Sequence, residues 1–230
     1  MANQLSTSAL SALQQLNGAD VANAIETFEV RLRNEGFADG SVRCLQPQLP
    51  AAVGYAVTAK IRSSSPPPVG HQYFDRTDWW NEIVSVPAPR FVVVQDVDEH
   101  RGLGAFLGEV HANVLRALGC VAYATDGAVR DVSPIGELGF QVFASCVSVS
   151  HAFAHVVEFG TPVSIGGLTV NSGDLLFGDA EGLQSIPPSI VEQLPQVVAR
   201  VTGRDDAVIR FCRSRDFSMD GLRTLLRDLG

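Results

Sequence analysis

Apolar residues at helical spacing open the chain. Residues 5–34 predict two helical pieces, with Asp20 placed to cap the second and Val21, Ile25 and Phe28 on one of its faces. A polar connection containing Pro follows at 38–50, and AAVGYAVTAKI (51–61) then predicts a strand. SSSPPPVGH (63–71) is a loop by composition, since Pro cannot continue a ladder. Asp75 is placed to cap a helix over 76–86 that carries Trp79, Trp80 and Ile83 and is ended by Pro87 and Pro89. RFVVVQDVD (90–98) predicts a strongly apolar strand. Residues 102–119 combine a Gly-rich entry with a helical pattern in which Phe106, Val110, Val114 and Leu118 keep i, i+4 spacing. CVAYATDG (120–127) is the next strand.

From residue 140 the period changes. FQVFASCVSV, HVVEFGTPVSIGGLTV and GDLLFGDAEGLQSIP predict short strands separated by Gly turns, without helices. Pro187 and Pro188 open a helical C-terminal part, and Asp216 or Ser218 starts a last helix over 219–229. An alternating front half followed by a strand-rich back half predicts a mixed α/β layered domain and not a doubly wound sheet.

Composition narrows the function classes. With 46% hydrophobic and 18% charged residues, the 230-residue chain is an ordinary globular protein, which excludes a disordered, collagen-like or coiled-coil chain. A net charge of −8 argues against a nucleic-acid partner, because phosphate binding wants a basic surface. No apolar run approaches the roughly 18 residues of a membrane span, so no membrane partner is expected. The first residues, MANQLSTSAL, carry no basic segment and the first arginine is Arg31, so no secretory signal is read. Cys44, Cys120, Cys146 and Cys212 form no CxxC pair, and the three within apolar runs read as small core residues. Together these features predict a soluble, reduced, cytoplasmic protein.

The candidate chemistry lies between strand 90–98 and DGAVRDV (126–132). The turn GLGAFLGE before the helix would aim unpaired helix-start N–H groups at one place, which favours a carboxylate or phosphate. The same glycines would also serve a tight turn alone. Arg130 and Asp131 follow the second strand; adjacent residues of these types can divide labour, the arginine holding an anion and the aspartate a hard metal ion. A surface Arg–Asp pair is the plainer reading. Consecutive strands tend to be neighbours, so both loops can open at one sheet edge.

FLGEVHANVLRALGCVAYATDGAVRDV resembles the RraA-like family, which includes metal-dependent 4-hydroxy-4-methyl-2-oxoglutarate aldolases and regulators of ribonuclease E activity. The resemblance continues through LGFQVFA (138–144), GG-x-x-V-x-x-GD (166–174) and GD-x-x-G (178–182), and more weakly through VGYAVTAKI (53–61). As in the family's aldolases, the Gly–Glu turn stands 22 residues before Arg130. The resemblance implies a three-layer ββα sandwich of the swivelling-domain type, here a single domain over 1–230. Its core would be 50–190, with a helical N-terminal extension at 1–37 and a helical C-terminal segment at 188–230. It also implies a homotrimer or homohexamer with an active site near a subunit interface.

Carried over by position, Asp131 would ligate Mg²⁺ or Mn²⁺ and Arg130 would bind the pyruvoyl carboxylate of a small 2-oxo acid. Gly108, Glu109, Val110 and His111 would supply backbone N–H groups, and the Glu109 side chain would reach the metal through a water. The implied activity is that of a class II pyruvate aldolase or oxaloacetate decarboxylase, with the metal as electron sink and a metal-bound water or nearby carboxylate as base. One departure stands out: Pro134 occupies the place, three after the metal aspartate, where the family's aldolases carry an acid. The alternative is a non-catalytic regulator or binding protein of a ribonuclease that retains the family shell.

Competing chemistries are weaker. Lys60, the sole lysine, is the one candidate for a Schiff base, and its strand setting reads as structural. His151 and His155 would bind zinc together on a helix, but their surroundings read as strand or loop, where four residues separate them by about 13 Å. His71 and His100 read as loop residues, and Asp174 and Asp179 as Gly–Asp turns. The C-terminal arginines interleave with acids, as on a solvated ion-paired surface.

Overall fold

The apolar run expected as a strand at 90–98 is covered on both faces, and the other layers are built around it. In the computed structural model, which describes residues 4–68 and 77–229, the elements are α1 (Thr7–Gln14), α2 (Gly18–Glu26), β1 (Arg43–Cys44), β2 (Ala52–Arg62), α3 (Thr77–Ser85), β3 (Arg90–Asp96), β4 (Ala105–Leu107), α4 (Glu109–Ala117), β5 (Cys120–Val129), α5 (Val132–Glu137), β6 (Gln141–Val147), β7 (His155–Phe159), β8 (Val163–Ile165), β9 (Leu168–Val170), β10 (Leu175–Asp179), β11 (Gly182–Ser185), α6 (Leu194–Cys212) and α7 (Met219–Leu229). Strands β2, β3, β5 and β6 run parallel at the centre of a nine-stranded sheet, and α3, α4 and α5 occupy the connections between them. Antiparallel partners extend the sheet: β1 beside β6, and β10 and then β11 beyond β2. The long β2 is shared, since Ala52–Tyr55 pair with β10 and Ala59–Arg62 pair with β7.

Alternation in β3 shows why the run is continuous. Val92 and Val94 face a core that includes Ile25, Ile83, Leu115 and Leu194 from the helices. Phe91 and Val93 face a second core closed by Val163, Ile165, Leu168 and Val170 of the β8–β9 hairpin. A strand segment covered on both faces reads as a near-continuous apolar run, here Phe91–Val94. The hairpin, the main sheet and the helices are the three layers of the expected ββα sandwich.

Several local expectations are corrected. Asn17 and not Asp20 caps α2, because its Oδ1 accepts from the N–H groups of Ala19 and Asp20. The second N-terminal helix ends at Glu26, short of residue 34. The strand expected at 120–127 runs on to Val129, with a register irregularity between Thr125 and Ala128 that absorbs Asp126 and Gly127. The Gly-rich entry contains a short strand, β4, which pairs with the end of β5. Phe106 therefore belongs to a strand. The buried face of α4 is His111, Ala112 and Leu115, while Val110 stands outside at 70% exposure. Of the cysteines, Cys120 is buried, Cys44 half-buried, and Cys146 and Cys212 exposed. Ser218 is the residue that starts α7, accepting from Gly221 N–H. Asp75 and His71 lie outside the described residues. No helix among the described residues is long and apolar enough to cross a membrane.

Candidate functional site

Strands β4 and β5 end side by side, with Leu107 paired to Val129 and Arg130 N–H donating to the Leu107 carbonyl at 3.0 Å. The next residues of both strands therefore meet: Gly108 and the start of α4 on one side, Arg130 and Asp131 on the other. Residues 22 apart in sequence become neighbours at the C-terminal ends of parallel strands, a usual place for ligand sites in α/β sheets.

Asp131 takes a left-handed backbone conformation (φ 56°, ψ 39°) at the head of α5. Such a conformation is uncommon for a residue with a side chain and is tolerated best by Asp and Asn. Its carboxylate makes no capping bond to its own helix. Oδ2 instead accepts the Glu109 N–H at 3.0 Å, at the N-terminus of α4. The N-terminus of α4 thus faces this carboxylate. Arg130 Nε lies 3.6 Å from the same Oδ2, and both side chains are a little over a third exposed. Among the described residues the terminal guanidinium nitrogens of Arg130 make no hydrogen bond, which leaves the planar fork for a ligand carboxylate.

Gly108 has the β-region backbone that any residue adopts (φ −140°, ψ −177°). Its requirement is space: a Cβ there would lie 2.8 Å from Asp131 Oδ2 and 2.9 Å from Arg130 Nε. Val110 and His111 complete the first turn of α4, where N–H groups lack partners four residues back. The His111 ring is buried, its Nδ1 is 3.2 Å from the Phe106 carbonyl, and it meets the Phe106 ring edge-on at 4.9 Å. Burial pushes its pKa down to about 4, so the imidazole is neutral.

These groups share a cavity of about 390 Å³ lined by Gly108, Val110, His111, Arg130 and Asp131 on one side. Pro67, Ala105, Phe106 and the segment His151–His155 form the remainder. The volume lies within the range of small-molecule sites, roughly 300–1,000 Å³. The Glu109 side chain is exposed and is not part of this wall; its N–H is the group that reaches Asp131. Pro134 lies within α5, where its carbonyl accepts the Leu138 N–H.

Among the described residues no three acidic, histidine or cysteine side chains gather as a preformed metal cage. The donor set is one exposed carboxylate beside a glycine that leaves room around it. That suits Mg²⁺ or Mn²⁺, hard cations that keep several waters and need one or two carboxylates, and does not suit zinc.

The other candidates resolve as structure. Lys60 Nζ pairs with Glu158 Oε2 at 2.8 Å. Asp179 accepts the N–H groups of Gly18 and Glu181, tying α2 to the sheet, and Asp174 accepts from Asn171 within a turn. His155 heads β7 and His151 lies in the loop before it, as the strand-or-loop reading expected. Their place on the wall of the Arg130–Asp131 cavity was missed. The available signal was two histidines just ahead of a strand, which period alone cannot aim at a site.

The profile of the RraA-like family (Aldolase/RraA) matches residues 19–184. A Halalkalibacterium halodurans protein provisionally named 4-hydroxy-4-methyl-2-oxoglutarate aldolase is 28% identical over 104 residues, which cover 45% of this chain and 50% of that protein. The match thus spans about half the length of this curated relative. An uncharacterised protein from Pseudomonas syringae pv. tomato superposes with a TM-score of 0.73 at 18% identity, covering 97% of this chain and 96% of that one. Streptomyces coelicolor RraAS2, described as an unusual member of the RNase ES inhibitor RraA protein family, superposes with a TM-score of 0.66 at 19% identity, covering 93% and 99%. At these identities the solved structures establish the fold.

Proposed function

The chain belongs to the RraA-like family, and from that premise we propose that it is a divalent-metal-dependent lyase that cleaves or decarboxylates small 2-oxo acids to give pyruvate. The observation that carries this reading is the meeting of two sequence-distant pieces, the start of α4 and Arg130–Asp131, through the Glu109 N–H bond to Asp131 on the wall of one cavity.

A bound Mg²⁺ or Mn²⁺, held by Asp131, supplies the Lewis acidity that a 2-oxo acid needs to accept electrons from a breaking C–C bond. The protein's part is binding and orientation. Arg130 grips the carboxylate next to the carbonyl with its free fork, and the N–H groups of Val110 and His111 favour the same anionic end. Glu109, whose exposed side chain is not on the cavity wall, would contribute to holding the metal only through a water. Phe106 and the buried, neutral His111 wall the cavity with poorly hydrated surface, which strengthens charge interactions inside it. Oxaloacetate held in this pose loses CO₂, and 4-hydroxy-4-methyl-2-oxoglutarate splits into two pyruvates. Both routes use the same grip on the pyruvoyl half.

A homotrimer or homohexamer belongs to the same reading. Val110 and Phe153 line the cavity yet are 70% and 51% exposed, as expected where a second copy covers the mouth. Light scattering in solution tests this, and a monomeric mass would contradict it.

The function is tested by following pyruvate release from both substrates through lactate dehydrogenase, with Mg²⁺, with Mn²⁺ and with EDTA. Turnover that requires metal supports the lyase. Folded, metal-supplied protein without turnover on either substrate would refute it in favour of a non-catalytic ribonuclease regulator.

A further inference from the structure

The cavity that Arg130 and Asp131 line is also lined by a histidine outside their motif, His155. His155 is the first residue of β7, fixed by antiparallel pairing with Arg62 of β2, and is 7% exposed. Its Nδ1 lies 2.7 Å from the Phe153 carbonyl. A carbonyl oxygen only accepts, so Nδ1 carries the proton, and in the neutral ring Nε2 carries the lone pair. Among the described residues Nε2 makes no hydrogen bond. An imidazole oriented through one nitrogen, with the other unbonded in a residue that lines the ligand cavity, is the arrangement of a general base.

The preceding loop is held in place as well. Ala105 N–H donates to the Ser150 carbonyl at 2.9 Å and Phe153 N–H to the Ser63 carbonyl at 3.2 Å. Gly104 lets the loop approach, since a Cβ there would lie 2.5 Å from the His151 carbonyl oxygen. Ala152, between the two histidines, takes a left-handed φ of 45°, a conformation that surrounding contacts must enforce. His151 also lines the cavity, but its ring is on the exposed loop and its Nδ1 is tied to the adjacent Ala152 carbonyl.

We propose that His155 is the general base of the aldol reaction, taking the proton of the C4 hydroxyl of a 4-hydroxy-2-oxo acid whose carboxylate end is held by Arg130. This rests on the lyase reading above. The C4 O–H proton passes to Nε2, and the O–H electron pair becomes the second bond of the C4 carbonyl. The C3–C4 pair moves to C3 as the enolate of the departing pyruvate. The imidazolium then returns its proton to C3, so one substrate gives two carbonyl products and the base is regenerated. Decarboxylation of oxaloacetate has no hydroxyl proton to remove; its enolate takes the C3 proton from water, so the proton transfer to His155 Nε2 is absent from that reaction.

That difference gives the test, made with the full chain and Mg²⁺. His155→Gln can keep the bond to the Phe153 carbonyl but cannot take a proton. Its kcat on 4-hydroxy-4-methyl-2-oxoglutarate should fall by about 10²–10⁴-fold with KM little changed, oxaloacetate decarboxylation should lose clearly less, and circular dichroism with thermal melting checks folding. Imidazole added to His155→Ala should restore part of the aldol activity. Equal losses on both substrates, no loss on either, or a selective aldol defect in His151→Gln instead would overturn the assignment. A wild-type protein inactive on both substrates would instead overturn the lyase reading and this proposal with it, whereas intact decarboxylation with an unaffected aldol rate in His155→Gln would remove the histidine alone.

Discussion

Gly108→Ala separates the site from the fold. Alanine adopts the Gly108 backbone without strain, so the perturbation is a single methyl group. That methyl would sit 2.8 Å from Asp131 Oδ2, 2.9 Å from Arg130 Nε and 3.2 Å from Arg130 Cγ. Ordinary contacts are about 3.5–4.0 Å, so the two side chains must move by roughly half an ångström or more. Both are partly exposed beside the cavity and can swing into it. Replacing glycine by alanine at a helix N-cap costs up to about 1 kcal/mol, and the reduced freedom of the unfolded chain offsets about 0.4–1 kcal/mol. Net stability then changes by less than about 1 kcal/mol, or roughly 2–4 °C in Tm. The same displacement acts on the groups that hold metal and substrate. With a misplacement of 1 Å costing about 10²-fold, kcat/KM should fall by about 10- to 100-fold. Calorimetric melting and the coupled pyruvate assay read the two quantities separately. Unchanged kcat/KM, or a Tm loss above about 8 °C, would refute the assignment of Gly108 to the site.

Arg130→Lys keeps the charge and loses the planar fork, so KM for either 2-oxo acid should rise by about tenfold or more, measured by steady-state kinetics. Lys60→Met should retain activity with little change in a urea melt, since the Lys60–Glu158 pair is partly exposed; borohydride with pyruvate should trap no adduct. Burial pushes the Asp126 pKa up to about 6, so its contribution to stability is complete below its ordinary value of 3.8 and is lost as pH rises through about 6. His111, pushed down to about 4 from 6.5, contributes in the opposite sense, fully above pH 6.5 and not below about 4. The two slopes oppose each other between pH 4 and 6. Urea melts of Asp126→Asn should therefore gain stability relative to wild type as pH rises through this window, by on the order of 2–3 kcal/mol. His111→Gln should lose it, and difference curves flat with pH would contradict both assignments.

The layers were legible in the sequence because burial on both faces forces the pattern. Phe91–Val94 is apolar throughout since each residue meets one core or the other, and the short Gly-separated strands after residue 140 admit no helix. Boundaries were less legible where a tertiary contact outweighs local preference. Ala105–Leu107 is a strand because β5 runs beside it, and Val110 leaves the helix core because α4 begins against Arg130–Asp131. Asn17 displaces Asp20 as the cap of α2, a choice between two good capping residues that spacing alone does not make. In the candidate site, Arg130, Asp131 and Gly108 stood out by motif. His155 did not, because its place on the cavity depends on how the loop after β6 folds back over Ser63 and Gly104.

Mn²⁺ binding followed by electron paramagnetic resonance, in wild type and in Asp131→Asn, tests the central assignment most directly. Asn tolerates the left-handed backbone of Asp131 and removes only its charge. The account predicts one Mn²⁺ bound per wild-type chain, a spectrum altered by added pyruvate, and loss of both effects in the folded variant. Equal Mn²⁺ binding in Asp131→Asn, or a wild-type spectrum indifferent to pyruvate, would contradict it.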